Sequence, residues 1–205
     1  MEPKKIPGVP EQKEGGFHDT ESQKCFDTPE ITSEKFRILK ERFFSIDRWI
    51  DYSGEGAADF RLYDSLGNPI SRIPEVGDFM RIDIPGPGTV EANGYDWVKI
   101  TKIIDNELEE GEIEKLIVIC SPSPEPGNSN SDHIAHFYSA AATSTFIITR
   151  TKTCIKASVH GRNESPNFET DFIDKVRNLF TAAGGMAGIA KIQWKLLVDG
   201  LLDFN

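Results

Sequence analysis

The sequence has few cysteines and no long apolar run. Its three cysteines, Cys25, Cys120 and Cys154, lie far apart and form no CxxC motif. An odd and scattered set is typical of unpaired thiols in a reducing compartment, so we expect no disulfide and a cytoplasmic location. No stretch reaches the roughly 20 apolar residues that a transmembrane helix needs, so we predict a soluble protein without integral membrane association.

Positive charge is also scarce. The chain has 23 Lys and Arg residues against 33 Asp and Glu residues, which gives a net charge of −10. Nucleic acids and anionic membranes bind basic surfaces, so this balance argues against both as partners. The densest acidic stretch, residues 107–114, lacks the spaced Asp, Asn and Gly residues of a calcium loop, and it predicts a solvated turn.

Motifs for covalent chemistry and for cofactors are absent. The sequence contains no GxSxG elbow, no phosphate-binding loop and no dinucleotide fingerprint, so we expect no cofactor and assign no catalytic residue. His133 and His136 have a spacing that chelates zinc only on a helix, and a third ligand is missing. We therefore predict no metal site.

Periodic apolar residues are present from residue 24 onward. Residues 1–23 are rich in Pro, Gly, Glu and Lys and predict a disordered leader, whereas residues 24–205 predict a single domain. A short strand at 24–26 precedes a helix that Thr32 or Ser33 caps and that ends near Tyr52. Alternating patterns then predict strands at residues 60–63, 79–84, 97–104, 113–120, 144–149 and 154–160.

The last predicted element is a long helix over residues 166–202. Its apolar residues recur at gaps of three and four, which places them on one stripe that another surface must cover. Gly184, Gly185 and Gly188 interrupt this helix and predict either a kink, which we favour, or a close approach of a ligand or the sheet to its backbone. The fold class is therefore α+β, with antiparallel strands followed by a C-terminal helix.

This order resembles the helix-grip fold of the START and Bet v 1-like (SRPBCC) superfamily, which includes polyketide cyclase-like and lipid-transfer proteins. The resemblance is carried by residues 24–29 leading into the helix, the aromatic close at 49–52, the strand pair at 144–160 and the helix at 168–202. It implies an antiparallel curved sheet wrapped around the long C-terminal helix, with an apolar cavity between them. Members bind sterols, lipids or polyketides, and a minority are enzymes.

The apolar faces of the predicted strands offer more surface than one helix stripe covers, and such pockets are mostly apolar with few polar groups. We predict that a hydrophobic ligand would contact the following residues: Ile82, Ile100, Val118, Phe146, Ile148, Ala183, Met186 and Ala190. The candidate polar groups of the cavity are Arg81, His136 and Tyr138.

Three functions are open at this point. The first is non-covalent binding of a hydrophobic small molecule between the sheet and the C-terminal helix. The second is a cyclase or hydrolase type of enzyme that uses Arg81, His136 or Tyr138 in the same cavity. The third is a protein-interaction module, with residues 121–132 and the aromatics Trp49, Tyr52 and Tyr95 as its surface. The sequence predicts neither the ligand nor the oligomeric state.

Overall fold

The computed structural model describes residues 2–54, 56–83, 95–127, 134, 136, 138–165 and 186–204, with residues 186–190 described by their backbone alone. Seven strands form one antiparallel sheet in the order β1-β7-β6-β5-β4-β3-β2. The strands are β1 Gly16–Cys25, β2 Asp59–Tyr63, β3 Phe79–Asp83, β4 Asp96–Asp105, β5 Glu114–Pro122, β6 Thr143–Arg150 and β7 Cys154–Glu164. The helices are α1 Pro29–Phe44, a 3-10 helix Ile46–Arg48, α2 Trp49–Ser53 and α3 Met186–Leu201.

The predicted α+β class with an antiparallel sheet and a C-terminal helix is confirmed. The strands β2 to β7 each overlap the predicted strands, and β7 continues four residues further than its alternation indicated. The predicted helix before Met186, including Ala183, Gly184 and Gly185, lies outside the described residues, whereas Gly188 lies within the helix that begins at Met186. No helix in the described part of the chain is long and apolar enough to cross a membrane.

The first helix begins earlier and ends earlier than predicted. Thr28 is the N-cap, since its hydroxyl accepts a hydrogen bond from the Ile31 amide at 3.3 Å, while Thr32 is buried in the first turn. The helix stops at Ser45 because the chain turns back over its end. The indole N–H of Trp49 then donates to the Arg42 carbonyl at 3.1 Å, an acceptor that it shares with the Ser45 amide.

The first strand differs most from prediction. Residues 16–23 were expected in a disordered leader, but they are the first eight positions of β1 and pair with β7. Residues 2–15, which we call the N-terminal arm, lie against the sheet. The Lys4 amide donates to Asp19 at 3.0 Å, and the Asn163 side chain accepts from the Lys13 amide at 2.7 Å. Local composition does not predict that the arm is ordered, because the residues that bind it are 15 to 150 positions away in the sequence.

The two faces of the sheet have different partners. The inner face carries the main core, to which α1, α2 and α3 contribute apolar side chains. The outer face carries a smaller apolar cluster of Ile117, Ile119 and Ile147, covered by Ile6 and Val9 of the arm. The sheet therefore buries apolar residues on both faces.

The helix α3 packs against β1, β7 and α2. Its Trp194 ring lies 6.0 Å from Phe60 and 5.6 Å from Phe146 between ring centres, and Trp49 contacts the same two rings. Near its end, Gly200 lies so close to the Tyr52 carbonyl that a β-carbon there would overlap it. Only glycine permits this approach of α3 to α2.

The expectation of unpaired cysteines was wrong. Cys25 and Cys154 stand opposite each other in the register of β1 and β7 and form a disulfide, while Cys120 is a buried free thiol. The two partners are 129 residues apart in sequence, so their spacing gave no sign that they meet. The cysteine argument for a reducing compartment is therefore lost.

Candidate functional site

A cluster of ionisable side chains lies buried on the inner face where β1, β7 and α3 meet. Its centre is His18 of β1 and Glu164 of β7, whose Nε2 and Oε1 atoms are 3.3 Å apart. Both side chains are almost wholly buried, at 6% and 5% exposure. The indole of Trp194 lies alongside His18, with ring centres 6.2 Å apart.

Backbone geometry brings His18 and Glu164 together. Asn163 has a positive φ of 56°, and a register shift lies between Gly16 and His18 where β1 meets β7. Glu164 therefore folds back across Gly161, where a β-carbon would overlap both the Glu164 and the His18 side chains. Glycine at position 161 is thus a condition for their contact.

Two further polar residues extend the cluster. The Tyr138 phenol is hydrogen-bonded to Glu164. The His136 ring accepts a hydrogen bond from the Tyr138 amide at 2.9 Å and stacks on the Tyr138 ring, with centres 5.8 Å apart. The predicted polar residues His136 and Tyr138 are therefore together, and Tyr138 joins them to the pair that the sequence did not predict.

Burial determines the charges of this cluster. Burial, assisted by the nearby His160, lowers the pKa of His18 to about 4, and burial lowers the pKa of His136 to about 3. Burial also raises the pKa of Glu164 to about 7, although Arg162 and Tyr138 oppose this rise. At neutral pH the cluster holds two uncharged imidazoles and a carboxyl group near its titration midpoint. Groups with this property are typical of proton transfer and of ligand recognition.

The His18 ring makes no hydrogen bond to the described residues. Among the described residues, His18 Nδ1 makes no hydrogen bond, and Nε2 contacts Glu164 without hydrogen-bond alignment. An unsatisfied buried polar group costs about 1–3 kcal/mol, so native proteins rarely keep one without a use for it. The unpartnered nitrogen indicates a place where a further polar atom can bind.

The predicted apolar site residues of the strands share the inner face. Ile82, Ile100, Val118, Phe146 and Ile148 are all buried in the main core. Phe146 contacts Trp49 and Trp194, so the core around it is filled by aromatic rings. Met186 and Ala190 begin α3, but their side chains, like all of Ala183, lie outside the described residues.

Arg81 lies on the opposite face from the predicted cavity. It alternates with the buried Met80 and Ile82 on β3, and its guanidinium lies 4.1 Å from the centre of the Tyr95 ring and 5.8 Å from that of Tyr63. The protein-interaction surface also changes, since Trp49 is buried at 1% exposure.

A second polar cluster lies on the outer face beneath the N-terminal arm. Asp19 Oδ1 is 2.7 Å from His160 Nδ1, and His160 Nε2 is 3.0 Å from the Ser158 hydroxyl. This is the residue set of a serine-hydrolase triad, but β7 pairs with β1 and β6 around Ser158, so its backbone amides are taken by the ladders. Without free donors for an oxyanion, the arrangement supports a structural role.

That role is to hold the arm. The two terminal nitrogens of Arg162 donate to Asp19, to the Lys4 carbonyl and to the carbonyls of His18 and Gly161. Burial alone would raise the pKa of Asp19, but hydrogen bonds from the Lys4 amide, His160 and Arg162 lower it overall. The carboxylate stays ionised and links the arm to β7.

The described residues also line two open grooves away from α3. One, of about 480 Å³, lies between the end of α1 and residues 71–73 and includes Phe44, Leu62 and Ile73. The other, of about 440 Å³, lies beside the disulfide and includes Glu109, Glu112 and Cys154. Among the described residues, no group of three or more His, Cys, Asp and Glu side chains has the geometry to hold a metal ion.

Comparison with known proteins shows a fold likeness and no assigned family. No family model matches the chain, and no curated protein matches it. A hypothetical protein from Helicobacter pylori, jhp0584, superposes with a TM-score of 0.52 at 9% identity, covering 97% of this chain and 98% of its own. The two proteins therefore share a fold.

Weaker structural matches include two proteins with named families or pathways. The di-domain ARO/CYC BexL of the BE-7585A biosynthetic pathway matches at a TM-score of 0.35 and 10% identity, over 92% of this chain and 51% of its own. Ara h 8.0201 matches at a TM-score of 0.30 and 12% identity, over 89% of this chain and 99% of its own. Likeness at this level carries no argument about function.

Proposed function

We propose that the chain has the helix-grip fold and binds a hydrophobic small molecule between the inner face of the sheet and its C-terminal helix. The polar end of the ligand lies at His18, Glu164 and Tyr138. The sheet order, with β1 beside β7 and α3 packed across both, supports this fold.

The observation that carries the proposal is the buried Nδ1 of His18 on the inner face, which has no hydrogen-bond partner in the part of the chain that the structure describes. A filled core gives no reason to bury an imidazole beside a carboxyl group whose pKa burial raises to about 7. A pocket that is mostly apolar, with a few placed polar groups, gives that reason.

The apolar part of the ligand extends along the inner faces of β3, β4 and β5. Ile82, Ile100 and Val118 supply its surface there. The rings of Trp49, Phe60, Phe146 and Trp194 contact one another and border this surface, and Trp194 also lies alongside His18. Ala183, Met186 and Ala190 are the proposed contacts from the helix.

Titration with the uncharged fluorophore N-phenyl-1-naphthylamine tests this function. We expect saturable binding of one probe per chain, which is lost when Val118→Trp fills the inner face. Ile73→Ser, in the groove between the end of α1 and residues 71–73, is the matched control and should leave binding unchanged. Binding that is lost in Ile73→Ser and kept in Val118→Trp would contradict the proposal, as would the absence of saturable binding.

An acid–base enzyme is the second candidate, because three of its requirements coincide. Glu164 has a pKa of about 7, Tyr138 is bonded to it and His18 contacts it. A carboxyl group near its midpoint at neutral pH can give or take a proton efficiently. The test measures turnover of a bound carbonyl compound by the exchange of its α-hydrogens for deuterium in D2O. The variant Glu164→Gln should be inactive.

A further inference from the structure

We propose that His18 Nδ1 binds an oxygen atom of the ligand, and that the protonation of Glu164 sets whether that oxygen accepts or donates the hydrogen bond. The inference rests on the proposed function and names its ligand class: apolar ketones and alcohols.

One nitrogen of His18 faces a protein side chain, and the other is buried without a hydrogen bond among the described residues. Glu164 faces Nε2 at 3.3 Å, so a small rotation of either side chain aligns a hydrogen bond. Among the described residues, nothing bonds Nδ1. In an uncharged imidazole, the nitrogen that carries the proton donates a hydrogen bond and the other nitrogen accepts one. The group that binds Nε2 therefore determines the role of Nδ1, and we call this coupling the relay.

Two proton arrangements follow, because His18 stays uncharged above pH 4, where its pKa lies. When Glu164 is protonated, it donates to Nε2, and the ring proton resides on Nδ1, which then requires an acceptor. When Glu164 is ionised, it accepts from Nε2–H, and Nδ1 presents a lone pair that requires a donor. The pKa of Glu164, about 7, places the change between these arrangements near neutrality.

The two arrangements select between oxygen groups. A carbonyl oxygen can only accept, so it fits Nδ1 only while Glu164 is protonated. A hydroxyl group can accept or donate, so it fits both states. Ketone binding should therefore weaken as the pH rises through 7, whereas alcohol binding should not.

The surrounding charges exclude carboxylates from the site. Asp19, His160 and Arg162 lie on the outer face and are bonded to one another, with the terminal nitrogens of Arg162 committed to protein acceptors. Within the described ranges, Lys191 of α3 is the remaining cation near His18, and it is exposed to solvent. A ligand carboxylate would meet Glu164 without a buried cation from these residues to neutralise either group.

The relay is tested without a ligand by 15N NMR of the histidine rings. We expect His18 to be the Nδ1–H tautomer at pH 5.5 and the Nε2–H tautomer at pH 8.5. Glu164→Gln is the matched variant: its amide N–H donates to Nε2 at every pH, so the Nδ1–H tautomer should persist. One tautomer at both pH values in the wild-type chain would overturn the relay.

The ligand class is tested with 2-undecanone, 2-undecanol and undecanoate. We expect the affinity for 2-undecanone to fall about tenfold between pH 5.5 and 8.5, because one hydrogen bond is lost. The affinity for 2-undecanol should change by less than about twofold, and undecanoate should bind at least tenfold more weakly than the ketone at pH 5.5. In Glu164→Gln the ketone should bind equally at both pH values.

The outcomes separate this inference from the proposed function. Equal pH dependence of the ketone and the alcohol would contradict the relay while leaving a hydrophobic site in place. A tautomer change without binding of any of the three probes, or of the naphthylamine, would contradict the proposed function and the ligand class together.

Discussion

The side chains of His18 and Glu164 come from neighbouring strands and meet over Gly161, with Nε2 and Oε1 3.3 Å apart. Both groups lose solvation when the chain folds, which lowers the pKa of His18 and raises the pKa of Glu164. Measurable consequences for stability follow from this contact.

Glu164→Gln should change how stability depends on pH. Burial raises the folded pKa of Glu164 to about 7 from its ordinary value of 4.5, so ionisation costs stability as the pH rises through that window. The free energy of unfolding of the wild type, relative to the variant, should fall by roughly 2–3 kcal/mol between pH 5 and pH 8. Urea unfolding at both pH values measures this difference. Glu34→Gln, on the exposed face of α1, is the control. If its effect on the pH dependence of the unfolding free energy equals that of Glu164→Gln, the assignment of this dependence to Glu164 is contradicted.

Gly161→Ala should destabilise the chain and separate the pair. The new β-carbon overlaps the side chains of His18 and Glu164, and such overpacking costs about 1–3 kcal/mol. Gly16→Ala is the matched control in the same strand pair, since its β-carbon would lie 3.4 Å from the Glu164 carbonyl oxygen, an ordinary contact. Thermal unfolding of both variants checks the expectation, and equal stabilities would contradict the close contact.

Reduction of the Cys25–Cys154 disulfide should lower stability substantially. The crosslink spans 129 residues, and the chain-entropy model assigns about 5 kcal/mol to a loop of that length. Thiol titration of the unfolded chain should find one free thiol, Cys120, before reduction and three after it. The Cys25→Ser/Cys154→Ser variant should unfold identically with and without reductant. Three thiols in the unreduced protein would show that the crosslink does not form.

Asn163→Gly should release the N-terminal arm. Asn163 has a positive φ that glycine also adopts, so the substitution removes mainly the side-chain hydrogen bonds to Lys13, Glu14 and Glu11. Hydrogen exchange at the Lys13 and Glu14 amides should accelerate by roughly tenfold or more, as expected for a lost hydrogen bond. Asn106→Gly is the control, because Asn106 also has a positive φ, lies in an exposed turn and is remote from Asn163. Unchanged exchange in Asn163→Gly would contradict the anchoring role.

The sequence predicted the elements whose patterns are local. The strand β6 is rich in β-branched residues, and β7 alternates Ile155, Ala157 and Val159 on one face, so both overlap the predicted strands. Residues 16–23 of β1 were missed because the inner positions of the strand include His18 and Thr20 instead of large apolar residues. A strand that contributes polar groups to a buried site lacks the alternation by which strands are recognised.

The candidate site could be predicted only in part for the same reason. Tyr138 and His136 were candidates because they stand beside apolar strands, but nothing local connects them with His18, more than a hundred residues earlier. Glu164 directly precedes Ser165-Pro166, where the sequence predicts the start of the terminal helix, and its inward position depends on the conformation of Asn163. Long-range register, which sequence periodicity does not encode, brings these residues together.

The crystal structure of the chain with 2-undecanone at pH 5.5 tests the central claim most directly. We predict the ketone oxygen within about 3 Å of His18 Nδ1, with the alkyl chain along Ile82, Ile100 and Val118 on the inner face. A ketone bound in the groove beside Ile73, or a His18 Nδ1 that remains unbonded with the inner face fully packed, would contradict it.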